Sequence, residues 1–223
     1  MRKFARALAV LSVVVGVLVT ATSRAEAAPR PIVVFVHGFT AEAAPNWAVM
    51  APALTAAGFQ TQVFRYPSLT IGAAAAAQSL GLTVSALAAG GRKVALIGHS
   101  EGGLVTKACI IEAGCRGKVS HWLNISGVNN GTLISAGLPG TAIGDMGVAS
   151  PLVTRLRAEN SIFRAQGIKC TVAYTLTDGL VYPPTQSLEP GLGCGSVSIL
   201  GANHFTIISD PRTAAAAIQL LNR

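Results

Sequence analysis

The chain has 223 residues, with 17 basic and 9 acidic side chains, so its formal net charge at neutral pH is +8. The basic residues are scattered and are not interleaved with aromatic side chains. This distribution argues against nucleic-acid binding and allows at most a mild attraction to anionic surfaces. The length suits one domain with a sizeable core.

The first residues have the pattern of a secretory signal peptide. A basic start (residues 1–6) precedes an apolar stretch (7–21), and Ala25-Glu26-Ala27 provides an A-x-A cleavage site. The apolar stretch is shorter than the ~20 residues that a membrane-spanning helix needs, which disfavours a stable membrane anchor. We expect removal of residues 1–27 and secretion of residues 28–223 as a single domain. That mature chain keeps 13 basic and 8 acidic residues, a net charge of +5.

Apolar runs that suit buried strands alternate along the mature chain with stretches that suit helices. This alternation predicts an α/β fold, a mostly parallel six-stranded sheet with helices on both faces. The predicted strands cover residues 31–36, 61–66, 94–97, 121–125, 170–175 and 197–200. The predicted helices cover residues 46–57, 71–89, 101–113 and 151–166, and a last one opens at Asp210-Pro211. Asn46 is a possible N-cap of the first helix.

Residues 132–169 interrupt the alternation between the fourth and fifth predicted strands. The first half of this excursion is apolar, punctuated by glycine and without clear periodicity, whereas the second half is helical. Insertions at this place in an α/β enzyme often form lids or pocket walls. The excursion is therefore a candidate lid or acyl-pocket wall, with an ordinary surface loop as the alternative.

A glycine-flanked serine follows the third predicted strand, in the run Gly98-His99-Ser100-Glu101-Gly102-Gly103. Small residues two positions before and after Ser100 allow a tight, strained turn. Such a turn lifts the hydroxyl above the sheet and directs the next helix N-terminus at it. Strand, turn and helix together predict the nucleophile elbow of an α/β-hydrolase.

A serine nucleophile needs a base, and the base needs an orienting acid. In this fold the acid follows the second-last strand and the histidine follows the last one. Asp178 and His204 occupy those two positions. The alternatives are an Asp-Gly turn at Asp178 and a structural histidine at residue 204.

The run Val36-His37-Gly38-Phe39 after the first strand resembles the HG-x oxyanion motif. The expected oxyanion donors are the backbone N–H groups of Phe39 and Glu101, with His37 bracing the loop by hydrogen bonding. The helix dipole favours the Glu101 carboxylate, but a carboxylate pointed at the oxyanion would oppose catalysis. We therefore expect it to be turned away or paired with an Arg or Lys.

These motifs resemble the small secreted bacterial lipases, minimal α/β-hydrolases called class 2 lipases. Residues 177–183 also resemble the T-D-x-x-V-x-P acid loop of yeast lipase-B-type enzymes. The resemblance implies hydrolysis of acylglycerols and other carboxylic esters. The serine mechanism itself needs no metal or organic cofactor. We expect a monomer that contacts lipid–water interfaces transiently. A polyester- or cutin-type esterase, an acyltransferase and a non-catalytic lipid- or cell-wall-binding protein stay open as alternatives.

Apolar residues near these motifs are candidates to line a greasy acyl pocket. Core packing would explain any one of them equally well. They are Phe39, Trp47, Met50, Leu133, Leu180, Val181, Tyr182 and Phe205.

Four cysteines in an exported chain indicate two disulfides. Three pairings are possible, and we favour Cys109–Cys115 and Cys170–Cys194. The first would pin the end of the elbow helix to its following loop, and the second would join the starts of two late strands.

Overall fold

The computed structural model describes residues 29–42, 46–135 and 141–223. The expected leader, residues 1–27, and residues 136–140 of the excursion lie outside this range. The described residues form a six-stranded parallel sheet in the order β2-β1-β3-β4-β5-β6, which confirms the predicted α/β architecture. The strands are β1 (Ile32–Val36), β2 (Thr61–Phe64), β3 (Val94–His99), β4 (Val119–Ile125), β5 (Lys169–Tyr174) and β6 (Gly195–Ser198).

Seven α-helices in the described ranges cover the sheet. They are α1 (Met50–Ala56), α2 (Ala73–Leu87), α3 (Glu101–Glu112), α4 (Thr141–Asp145), α5 (Pro151–Ala158), α6 (Asn160–Arg164) and α7 (Pro211–Leu221). None of the helices described is long and apolar enough to cross a bilayer.

Two of the predicted helices differ most from the structure, whereas α2 is only two residues shorter at each end than the predicted 71–89. The first helix begins at Met50, because Asn46 donates its side-chain amide to the carbonyl oxygen of Ala41, 3.1 Å away, and does not cap the helix. The predicted helix 151–166 is divided at Glu159, which ends α5 and precedes α6. At the last helix, Asp210 caps α7 as expected, by accepting from the backbone N–H of Arg212.

The sheet is buried on both faces, which is why its strands appear as continuous apolar runs. In β1, Val34 and Val36 belong to the core layer that also contains residues of α2, α3, α5 and α6, whereas Val33 and Phe35 belong to the layer that contains residues of α1 and α7. Each face thus gains the hydrophobic stabilisation of a separate core layer, at ~25 cal/mol for each Å² of apolar surface removed from water.

Two disulfides and a buried ion pair fasten the α3 side of the sheet. The disulfides Cys109–Cys115 and Cys170–Cys194 are both present, with Cα–Cα distances of 5.2 and 4.8 Å, so the favoured pairing is confirmed. The Lys107 ammonium, in the middle of α3, lies 2.7 Å from the Glu189 carboxylate in the loop before β6, and both side chains are buried.

Candidate active site

Ser100 lies in a strained turn between β3 and α3. Its φ of 55° and ψ of −124° are unfavourable for a side chain with a Cβ, at ~1–3 kcal/mol for such a residue. A Cβ on Gly98 would approach the Gly102 carbonyl oxygen to 2.4 Å, and a Cβ on Gly102 would approach the Val36 carbonyl oxygen to 2.2 Å. The turn therefore closes only because both positions lack a side chain.

The structure brings the three predicted catalytic side chains into one hydrogen-bonded row. His204 Nε2 lies 2.9 Å from Ser100 Oγ, and His204 Nδ1 lies 2.7 Å from Asp178 Oδ1. Asp178 and His204 are buried, whereas Ser100 is partly exposed. Three residues far apart in sequence thus meet at the carboxyl edge of the sheet.

The environment of Asp178 favours its ionised form. Burial alone would raise the pKa of this carboxyl, but the hydrogen bond and charge of His204 and the Val181 N–H outweigh burial, so the pKa is lowered. Asp178 Oδ1 accepts from the backbone N–H groups of Leu180 and Val181 at 3.1 and 2.7 Å. The Asp178 carboxylate that orients His204 is therefore itself held in place by backbone N–H groups of its own loop.

His99 holds the backbone beside the candidate base, a role that the sequence did not reveal. Its Nε2 lies 2.9 Å from the carbonyl oxygen of His204. Burial, with a contribution from His204, lowers the pKa of His99 to about 3, so the ring is neutral. Because a carbonyl oxygen only accepts, His99 Nε2 carries the hydrogen.

The predicted oxyanion loop lies against the serine and is braced by its neighbours. His37 Nδ1 donates to the Gly38 carbonyl oxygen at 2.8 Å, and His37 Nε2 accepts from the Tyr66 N–H at 3.2 Å. The Thr40 N–H donates to Ser68 Oγ at 2.8 Å. The contacts of His37 are those of the expected brace.

Glu101 is fully buried, and of the two expected arrangements, turned away or paired with an Arg or Lys, the pairing is wrong, because its partner is a tyrosine. Its Oε2 lies 3.1 Å from the hydroxyl of Tyr66. Burial raises the pKa of Glu101 to about 8, with the Tyr66 hydrogen bond opposing the shift, so the group is predominantly neutral at pH 7. The sequence missed Tyr66 because only the fold brings the segment after β2 against the start of α3.

A cavity of about 490 Å³ opens beside Ser100. Among the expected pocket residues, Phe39, Leu180 and Phe205 line it. Its other apolar lining residues are Ala41, Val128, Ile134, Ile143, Met146 and Ile208, and its polar ones include Thr40, Asn46, Thr132 and Ser135.

The other five expected pocket residues lie outside this cavity lining. Trp47 stacks on Phe35 with ring centroids 4.6 Å apart, and Met50 is buried in the same core layer, because the start of α1 faces the sheet. Val181 is buried in the opposite core layer. Leu133 and Tyr182 are exposed.

The excursion contributes Ile134, Ile143 and Met146 to the cavity wall. Its base is tied to the acid loop, since Thr132 Oγ1 donates to the Leu180 carbonyl oxygen at 2.8 Å and accepts from the Tyr182 N–H at 3.0 Å. The wall and the candidate acid are therefore mechanically connected.

No group of three His, Cys, Asp or Glu side chains in the described part of the chain has the arrangement of a metal site. The chemistry that this geometry supports is nucleophilic catalysis by a serine activated through a histidine and a carboxylate.

No family model and no curated relative matches this sequence. Solved structures do resemble it. The mature lipase BlEst2 of Bacillus licheniformis is 16% identical, with a TM-score of 0.72 over 86% of this chain and 92% of that one. Lipase B of Aspergillus fumigatus is 16% identical, with a TM-score of 0.73 over 87% of this chain and 52% of that one. The metagenomic carboxyl esterase MGS0156 is 17% identical, with a TM-score of 0.69 over 86% of this chain and 76% of that one. At these identities the likeness shows the α/β-hydrolase fold.

Proposed function

We propose that this protein is a secreted serine hydrolase that cleaves carboxylic esters, as a triacylglycerol lipase or carboxylesterase. The observation that carries the proposal is the hydrogen-bonded row Ser100–His204–Asp178 at the mouth of a mostly apolar cavity. The structures that share the fold include two lipases and a carboxyl esterase, which supports the same chemistry.

In this mechanism, Ser100 Oγ attacks the ester carbonyl while His204 Nε2 takes its proton. Asp178 keeps the imidazole in the required orientation and stabilises its charged form. The oxyanion accepts hydrogen bonds from the backbone N–H groups of Phe39 and Glu101, each worth ~3–4 kcal/mol in the transition state. His204 then protonates the leaving alcohol and later activates the water that hydrolyses the acyl-enzyme.

Apolar side chains around the cavity favour esters of medium or long acyl chains. Leu133, Ile134, Leu180, Tyr182 and Phe205 are each 40% to 69% exposed. Leu133 and Tyr182 are adjacent through a backbone hydrogen bond of 2.9 Å, and the other three line the cavity. Large apolar side chains clustered at the surface often mark interaction sites, so this group supports transient contact with a lipid–water interface.

Secretion is part of the proposal. Both disulfides suit an oxidising compartment, and residues 1–27 have the pattern of a cleavable leader. We also propose that the mature protein acts as a monomer and that part of residues 132–169 serves as a lid or an acyl-pocket wall of the cavity.

The test is hydrolysis of p-nitrophenyl esters from C2 to C16 by purified residues 28–223, beside the Ser100→Ala variant. We expect a maximum at medium or long chains and loss of activity in the variant. Activity confined to C2–C4 would instead favour a small-ester esterase, and cleavage of an insoluble polyester would favour the cutin-type alternative. An absence of hydrolysis with every ester would favour the binding-protein alternative.

A further inference from the structure

Besides its backbone N–H, Glu101 has a side chain that bears on the proposed reaction. We propose that Glu101 and Tyr66 are positioning residues for the oxyanion loop. The protonated Glu101 carboxyl donates to the Tyr66 hydroxyl, and that hydroxyl donates to the His37 carbonyl oxygen. This inference rests on the proposed ester hydrolysis, because binding the oxyanion is the task of the loop in that reaction.

The hydrogen count around Tyr66 favours a proton on Glu101, because only then do both contacts of the Tyr66 hydroxyl have a hydrogen. The Tyr66 hydroxyl lies 3.0 Å from the His37 carbonyl oxygen and 3.1 Å from Glu101 Oε2. Burial raises the pKa of Tyr66, so its oxygen carries one hydrogen. An ionised Glu101 would leave two acceptors competing for that hydrogen, whereas a protonated Glu101 supplies a second one.

An ionised Glu101 would be unfavourable because Glu101, Tyr66 and His37 are all buried. Glu101 Oε1 has no hydrogen-bond partner among the described residues, so a negative charge there would be poorly solvated. The neutral acid avoids this cost and completes an unbranched chain from Glu101 through Tyr66 to His37.

The charges around Glu101 also favour its neutral form. The negative side chains that act on it are Asp145 of α4 and Glu42 of the loop after β1, and both oppose its ionisation. His37, stacked on Tyr66 with ring centroids 4.4 Å apart, is a poor counter-ion because burial lowers its pKa.

The row of hydrogen bonds from Glu101 through Tyr66 ends on the His37 carbonyl oxygen, two residues before the candidate oxyanion donor Phe39. Tyr66 holds His37 through its hydroxyl, its backbone N–H and its ring. His37 in turn holds the Gly38 carbonyl oxygen, one residue before Phe39. These contacts fix the direction of the Phe39 N–H. Ionisation of Glu101 would loosen this chain and place a negative charge on the residue expected to supply the second oxyanion donor.

The geometry therefore predicts that kcat falls at alkaline pH because Glu101 ionises. The loss falls on kcat and little on KM, because oxyanion contacts strengthen in the transition state. In Glu101→Gln the amide donates to the Tyr66 hydroxyl without titrating. Tyr66→Phe breaks the chain at every pH, and we expect its kcat to fall about tenfold or more, a part of the effect of losing an oxyanion donor.

The experiment measures kcat and KM for p-nitrophenyl butyrate from about pH 6 to about pH 9.5. Ser100→Ala corrects for spontaneous hydrolysis, and Glu112→Gln, on the far end of α3, is the matched control. We expect kcat of the wild type and of Glu112→Gln to fall as the pH passes about 8, and that of Glu101→Gln to lack this decline. Superimposable profiles for the wild type and Glu101→Gln would overturn the inference.

A second readout does not depend on activity. The ¹³C carboxyl resonance of Glu101, assigned by its loss in Glu101→Gln, should titrate near pH 8 in the wild type. Titration near the ordinary value of 4.5 would overturn the inference even in an active enzyme. If Ser100→Ala hydrolyses esters as fast as the wild type, the proposed function fails, and the carboxyl titration still decides the protonation of Glu101.

Discussion

Replacing Glu101 by Gln should change how the stability of the fold depends on pH. The unfolded chain ionises this carboxyl near 4.5 and the folded chain near 8, so between these values the folded state binds the extra proton. Its contribution to stability is complete below about pH 4.5 and is lost as the pH rises towards 8. Each pH unit in this window removes about 1.4 kcal/mol from the free energy of unfolding. Between about pH 5 and about pH 8, the wild type should therefore lose about 4 kcal/mol relative to Glu101→Gln.

Urea unfolding followed by tryptophan fluorescence measures this difference. Trp47 and Trp122 are both buried, so their emission reports on the core. Glu112→Gln should follow the wild type across the same range, because its exposed ion pair with Arg155 has little effect on stability. A free-energy difference between Glu101→Gln and the wild type that stays constant with pH would refute the reasoning.

Three further predictions concern the acid, the buried ion pair and a disulfide. Asp178→Asn keeps an oxygen for the backbone N–H groups of its loop but no longer favours the required histidine tautomer, so kcat should fall about 10⁴-fold while the circular dichroism spectrum stays unchanged. Glu189→Gln strands the buried Lys107 ammonium, and urea unfolding should show a loss of about 3–5 kcal/mol, much of it recovered when Lys107→Met is added. Replacing Cys170 and Cys194 by serine opens a link across 24 residues and should lower the free energy of unfolding by about 3 kcal/mol, as measured by denaturant titration.

The sheet and the candidate catalytic row could be predicted because their signals are local or depend on chain order. A strand buried on both faces, such as β1, appears in the sequence as an apolar run. Ser100 can be recognised in the sequence by the flanking glycines that its turn requires. Asp178 and His204 follow from their places after the last two strands, because parallel strands end at one edge of the sheet.

The pocket and the partner of Glu101 depend on packing between distant segments, so the sequence could not supply them. Trp47 is as apolar as any pocket residue, and only the packing of the turn before α1 against β1 directs it to Phe35. Leu180 and Val181 are neighbours with similar side chains, yet one lines the cavity and the other enters the core. The Glu101–Tyr66 contact joins residues 35 positions apart, and neither residue signals the other.

The role of Ser100 is tested most directly by covalent labelling. Purified residues 28–223 would be treated with a fluorophosphonate, and the modified peptide identified by mass spectrometry alongside ester hydrolysis. We predict one adduct, on Ser100, that forms in step with the loss of activity and is absent from Ser100→Ala. An adduct on another residue, or an active enzyme that the reagent neither labels nor inhibits, would contradict the proposed catalytic serine.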